Sequence, residues 1–443
     1  MPVAGLAALC AACLPIDRAP VDATPAFSAA MAAVDRVTAP PAMPVEAGAA
    51  RVDMTPDGRP PLAGYGNRLG RPSHGVHDPL YARALALRSG DRTVILISLD
   101  LLAVTDDMLA AVETRVRREV ALPPGSLILT ATHTHSGFGA VARRVWESFA
   151  AGEYDDELFR FVIERAAVAA VNAMKALAPA RMAWGEAAAP DRIANRMIPG
   201  GYRDPAVSFL AVERSDATPV AWLTNFSAHA TVLKSDNFFL SGDYPGALSR
   251  ALESAGGVAL FTAGAVADQT GTPPRADDRF AAMDAMGADL AERVRAARRA
   301  LPEAAWTDRA AVASWRIGVD LPAPQIKVSP RRRLPRLVGA LLLDRRTTVA
   351  VAVIGDRVLI GVPCDLSAVI GSDWKARAVG LGRRALIVGF TDDYVGYVVP
   401  SEHYETSHYE ARMSFNGPHM DRYLTAVVGR VLDRIGPYPP VSP

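Results

Sequence analysis

The sequence predicts an α/β protein: one large domain with a mixed, largely parallel sheet flanked by helices. Three observations carry the prediction. Short apolar runs rich in Val, Ile and Leu alternate with longer stretches whose apolar positions recur at helical spacing. The strand-like Thr93 to Leu102, a helical stretch and the strand-like Leu127 to Thr132 follow one another as a βαβ unit, which implies parallel neighbours. Several apolar runs stop abruptly at His, Asp or Tyr, and open α/β sheets place ligands just beyond the carboxyl ends of their strands.

With 443 residues, half of them hydrophobic, the chain can bury a large core. Its net charge is +1 with 21% charged residues, which leaves no bulk electrostatic case for nucleic acid. The one basic cluster, Lys327 to Arg336, holds Arg331, Arg332 and Arg333 in a row and precedes apolar Leu337 to Leu343. It suits a solvated loop, and it also suits peripheral contact with anionic headgroups or an acidic partner. Cys10, Cys13 and Cys364 do not make a disulfide framework. Val3 to Leu14 is a short apolar run without the basic start of a standard signal peptide, and small residues precede Cys13 as at a lipid-attachment cysteine. Residues 15 to 48, rich in Pro and Ala, read as a tether. Residues 1–49 are therefore expected to be an export or lipoprotein-like signal plus linker, and residues 50–443 the folded domain. That reading puts the protein in the periplasm, on a lipid anchor or outside the cell; a plain disordered N-terminus is the alternative and leaves the cytoplasm open. No other run is long enough to span a bilayer.

In chain order, Val52 to Gly66 and His74 to Pro79 are turn-rich loops, and Arg83 to Arg88 and Thr93 to Leu102 are strands joined across Ser-Gly-Asp. Asp100 is a carboxylate in an apolar run. It either orients a liganding histidine from outside or braces a loop. Thr105 can cap a helix that Pro123 and Pro124 end. Leu127 to Thr132 then runs into His133-Thr134-His135-Ser136-Gly137, where an extended backbone would turn both imidazoles to one face. A helix over Asp156 to Leu177 precedes strands at Arg181 to Glu186, Val207 to Glu213 and Val220 to Phe226, the last ending at His229. Asp243 and Pro245 open a helix. Val258 to Thr262 leads into Ala267-Asp268-Gln269-Thr270-Gly271, a pocket-type ending, and Asp277 to Ala300 is helical. Val349 to Ile354 and Val358 to Val362 flank a Gly-Asp hairpin turn and end at Pro363-Cys364-Asp365. Ala385 to Phe390 releases a segment holding Tyr394 and Tyr397, and Met420 to Ile435 closes the chain as a helix. No internal repeat is legible.

Two imidazoles, a carboxylate and a position left for solvent are the parts of a hydrolytic zinc site. The ligands are widely spaced and no His-Glu-x-x-His helix is present, so spacing alone gives a weak signal. Thr132 to Gly137, however, resembles the Thr/Ser-His-Thr-His-Ser-Gly signature of the neutral/alkaline, non-lysosomal ceramidase family. Collinear supporting matches are Gly75-Val76-His77, Tyr81 to Ala84, Asn195-Arg196, His229, Asp243 to Gly246, Pro363-Cys364-Asp365, and the block from Tyr394 through Tyr409-Glu410 to Gly417-Pro418. The resemblance spans roughly residues 50 to 425.

The resemblance implies a Zn2+ held by His133, His229, Asp365 and Tyr397, with His135, Arg196 and Tyr409 around the scissile amide. It places Asp268 and Thr270 in the loop where ceramidases carry a catalytic serine, Thr270 falling at the serine itself. Three features depart from the family: Asp365 stands where Glu is usual, the Gly-Asp-Val-Ser-Pro loop is replaced by Ala267 to Gly271, and no β-sandwich domain follows. The expected activity is zinc-dependent hydrolysis of an N-acyl amide, on ceramide or a smaller acylated amine. A weakly active or inactive surface binding protein and a zinc esterase are the alternatives. Cys364 can be a soft ligand or a buried structural thiol, and the resemblance favours the second.

Overall fold

The computed structural model describes residues 13–438, and of residues 145–147 the backbone alone. The apolar start with Cys10 lies outside the described residues. Helix α1 (Pro25–Val34) is followed by three consecutive units that share one topology. In the first, β1 (Met43–Asp53), β2 (Tyr81–Ser89) and β3 (Arg92–Leu99) pair antiparallel, α2 (Asp106–Val116) crosses over, and β4 (Leu127–Ala131) returns parallel to β3 before α3 (Asp156–Lys175). The second repeats this with β5 (Arg181–Ala188), β6 (Ala206–Glu213), β7 (Pro219–Phe226), α4 (Asp243–Glu253), β8 (Val258–Ala263) and α5 (Arg279–Arg299). The third uses β9 (Val312–Asp320), β10 (Arg346–Ile354), β11 (Arg357–Gly361), α6 (Ala368–Val379), β12 (Arg384–Val388) and α7 (Met420–Ile435). Thr24, Asp155 and Asp278 start α1, α3 and α5 by accepting hydrogen bonds from first-turn N–H groups.

Strand alternation explains how the three sheets pack. Leu85 and Leu87 of β2, Leu210 and Val212 of β6, and Ala350 and Ala352 of β10 face a common core between the sheets. Their neighbours point outward: Ala84, Ala86 and Phe209 onto α2 to α5, and Val349, Val351 and Val353 onto α1, α6 and α7. With period two and both faces covered, the strands read in sequence as nearly continuous apolar runs.

Two expectations change. The architecture is α/β with mixed sheets, but among the described residues it has three main sheets, with four small ones beside them, rather than one, and each main sheet has a single parallel pair beside its antiparallel ones. Hairpins such as Ser89 to Arg92 supply the antiparallel partners, and the helical crossovers supply the parallel one. The segment read as a tether is folded in: Val34 and Val37 are fully buried against the third sheet, β1 starts at Met43, and Leu14–Pro15 pairs with Arg332–Arg333. Alanine-rich composition misled there because small residues let α1 pack closely on β9.

In every unit the third and fourth strands end in register, at Leu99 and Ala131, Phe226 and Ala263, and Gly361 and Val388. The fourth strands converge. The Gly389 N–H donates to Ala263 O (2.9 Å), the Asp392 N–H to Leu129 O (2.7 Å) and the Thr130 hydroxyl to Gly389 O (2.9 Å).

Candidate metal centre and its channel

His133 stands two residues past β4, His229 three past β7 and Asp365 four past β11, one from each unit. His133 has φ 61°, a left-handed conformation that costs a residue with a Cβ and persists where the surroundings impose it. The segment is therefore not extended as expected, yet the His133 and His135 rings still meet, edge to face at 4.8 Å. Phe390, itself at φ 54°, stacks on His133 at 3.7 Å and fixes the ring plane.

Second contacts set the tautomers. His133 Nδ1 lies 2.7 Å from Leu102 O, and His229 Nδ1 lies 2.8 Å from Val266 O and 3.1 Å from Gln269 O. A carbonyl only accepts, so both Nδ1 atoms carry the proton and both Nε2 atoms present lone pairs. Between them sits fully buried Asp365. Its Oδ2 accepts from the Tyr394 hydroxyl at 2.9 Å, and its Oδ1 has no hydrogen-bond partner. That oxygen is 3.1 Å from His229 Nε2 and 3.6 Å from His133 Nε2. The Tyr397 hydroxyl is 3.5 Å from His229 Nε2, and His135 Nε2 is 3.2 Å from His133 Nε2.

Donors bound tetrahedrally at about 2.1 Å stand roughly 3.4 Å from one another. The spacing here is that of atoms sharing one cation, and an orphaned carboxylate oxygen facing imidazole lone pairs is uncompensated without one. The residues fit a zinc ion. His133, His135 and His229 also group by themselves, with ligand atoms within 4.8 Å, so His135 joins the candidate donors. Burial lowers His133 to about 3 and holds His135 and His229 well below the usual histidine value, which keeps all three neutral. Burial also pushes the Asp365 carboxyl up, against the pull of His133 and Arg196.

Arg196 donates from Nε to Ala267 O (3.0 Å), pairs with Glu410 (2.9 Å) and reaches the Tyr397 hydroxyl (3.2 Å). Burial opposes its charge, but Tyr397, Glu410 and Asp365 outweigh this and raise its pKa. Tyr397 is buried, and its phenol is pushed well above 10 by burial and then by Asp365. Tyr409 is exposed and meets Tyr397 edge to face at 5.6 Å. Thr270 is half-buried on a short strand that pairs with Ala194 and bridges to His229. Asp268 accepts from Ser367 Oγ (3.1 Å), the Ala368 N–H (2.9 Å) and Gln269 Nε2 (3.1 Å), bracing the start of α6.

Asp100 does not orient a histidine. It pairs with buried Arg83 at 2.9 Å and accepts from the Tyr81 N–H, while Leu102 O takes the histidine role instead. Cys364 packs in the core of the third unit, and burial pushes its thiol up, so it is structural. Arg68 gave no sequence signal in an arginine-rich chain. It is buried, and its NH1 donates to both Ala63 O and His135 O, clamping the histidine loop. Beside the histidines lies a small, mostly apolar pocket of about 90 Å³, lined by Leu102, Met108, Phe138 and Val141, with Tyr394, Tyr397 and Tyr409 along its polar side.

Residues 46–267 match the family model described as neutral/alkaline non-lysosomal ceramidase, N-terminal. In fold the chain is similar to the neutral ceramidase from Pseudomonas aeruginosa, with TM-score 0.77, 18% identity, and coverage of 90% of this chain and 76% of that one. A second solved structure, a ceramidase complexed with C2, gives TM-score 0.75, 18% identity, and coverage of 90% and 77%. No curated protein matches the chain in sequence.

Proposed function

Because the chain belongs to the neutral/alkaline, non-lysosomal ceramidase family, we propose that it is a zinc-dependent hydrolase of N-acyl amide bonds, taking ceramide or a ceramide-like acylated amine. The observation that carries this is the orphaned Asp365 Oδ1 between two imidazole lone pairs beside a mostly apolar pocket. When bound, zinc supplies a Lewis acid that activates water and polarises a carbonyl at neutral pH.

The chain's own residues do the rest. His133, His229 and Asp365 would hold the metal, with the Tyr397 phenol beside them as a further candidate donor. Arg196 fixes that phenol through its 3.2 Å contact and is itself held by Glu410. His135 is neutral, and its Nδ1 has no partner, so it can take the proton that the attacking water gives up and pass it to the departing amine. Tyr409 on the pocket wall donates to the carbonyl oxygen as charge develops there. Thr270 lies next to His229 through a backbone bridge, and Asp268 acts by bracing the Ser367 turn that follows Asp365. The apolar walls meet the acyl carbons next to the amide and keep bulk water from it.

The test is product analysis by mass spectrometry on zinc-supplied protein, using N-acyl amides of graded chain length and the matching esters. Release of fatty acid and amine, favouring long acyl chains, is expected. Ester cleavage without amide cleavage would overturn the amidase reading, and no turnover of either would overturn the enzyme.

A further inference from the structure

We propose that the surface built from residues 327–346 and the strand Leu14–Pro15 is the face on which the protein docks to an anionic lipid bilayer. The stretch 327–346 holds seven Lys and Arg against one Asp, a net +6 in a chain whose total is +1. The rest of the chain therefore carries a net negative charge; on this face Arg331, Arg332, Arg336, Arg345 and Arg346 are exposed, while Arg333 is buried, Lys327 is turned onto Tyr404, and Asp17 and Glu405 offset part of the charge.

Apolar groups stand among these cations. In the short helix Arg336–Leu342, Leu337 and Leu341 are four apart and share a face, and they are 72% and 77% exposed. Val328 and Leu14 are exposed beside them on the small sheet where Leu14 pairs with Arg333 and Lys327–Ser329 pairs with Arg332–Arg333. Such leucines serve no packing purpose in the folded chain, and clustered exposed apolar groups mark an interaction site. The side chains of Arg331 and Arg346 are more than four-fifths exposed. Their carboxylate neighbours, Glu405 at 3.8 Å and Asp320 at 2.6 Å, form surface pairs that solvent screens and that phosphates can displace. Leucines to enter the acyl boundary and arginines to meet headgroup phosphate are the two halves of an interfacial contact.

The position agrees with this. Asp344, just past the helix, pairs with Arg144 at 2.5 Å, and Arg144 donates to Tyr394 O on the wall of the apolar pocket. A bilayer resting on this face would lie beside the pocket. The proposal concerns where the chain sits and holds whatever the site hydrolyses.

The test is co-sedimentation of the full chain with vesicles of phosphatidylcholine alone and of phosphatidylcholine with phosphatidylglycerol, at low and high salt. Binding is expected on the anionic vesicles and is expected to weaken with salt. Arg331→Ala and Arg346→Ala should each weaken it by about fivefold, and L337E with L341E together by at least about tenfold. All four positions are exposed, so the melting temperature should not move, and circular dichroism checks this. No binding to anionic vesicles, or equal binding by wild type and variants, overturns the proposal. A change from dimer to monomer by light scattering in the leucine variant also overturns it, assigning the patch to a second copy of the chain. None of these readouts requires turnover.

Discussion

Tyr394→Phe isolates the role assigned to Asp365 without touching a proposed ligand. The Tyr394 hydroxyl donates to Asp365 Oδ2 at 2.9 Å, and the carboxylate has no exposure to water. Removing the donor leaves an anionic oxygen buried without a partner. A hydrogen bond to a charged group contributes about 1.5–3 kcal/mol, and at about 1.4 kcal/mol per tenfold this weakens zinc binding by roughly 10- to 100-fold, the range seen for groups that orient metal ligands. The metal-free protein should respond much less. There burial already pushes the carboxyl up, toward the protonated form that needs the bond least. The assay is zinc titration of the stripped protein against a chromogenic chelator, with thermal unfolding of both forms alongside. Unchanged zinc affinity in a folded variant would refute the reasoning and leave His133, His135 and His229 as the ligand set.

Other predictions follow from the same geometry. Burial depresses three imidazoles, so below about pH 6.5 the unfolded chain takes up protons that the folded, metal-free protein refuses. Stability present above that pH should be lost as pH falls, by up to about 4 kcal/mol per pH unit for three protons; a melting temperature that holds steady on acidification would mean the rings are accessible. Gly64 has φ +101°, and a Cβ there would lie 2.5 Å from His135 Nδ1. Gly64→Ala should displace that ring and cost on the order of 100-fold in kcat at unchanged zinc content, read by steady-state kinetics. Ala103 lines the pocket, so Ala103→Phe should shift preference toward shorter acyl chains by about tenfold in kcat/KM, measured on paired long and short amides.

Much of the candidate site was legible because apolar runs stop just before the residues the fold brings together. His133, His229 and Asp365 each interrupt a β-branched stretch at a strand end, and nothing about a buried strand explains such a stop. What orients them was not legible. The acceptors for the two Nδ1 atoms are the backbone carbonyls of Leu102, Val266 and Gln269, which leave no mark in residue identity. The two readings open for Asp100, histidine partner or structural brace, could not be separated in sequence because its partner Arg83 lies on the neighbouring strand and depends on register.

The threefold topology was invisible for a related reason. Strands covered on both faces look alike whether their neighbours run parallel or antiparallel, and the three units carry different residues on the same frame. That frame nevertheless explains the site. Three pairs of strands end in register, and one candidate ligand follows the end of a strand in each unit. Sequence also underrated α1, whose small residues signalled a linker by composition and a close-packed helix by position.

The central claim is a metal centre that needs both imidazole and carboxylate. Its most direct test is metal content by plasma mass spectrometry on wild type, His229→Ala and Asp365→Ala, each purified without chelator and supplied with zinc. Near-stoichiometric zinc in the wild type, lost in both variants, is the predicted result. A wild type that retains no metal, or an Asp365→Ala variant that keeps its full complement, would contradict the account.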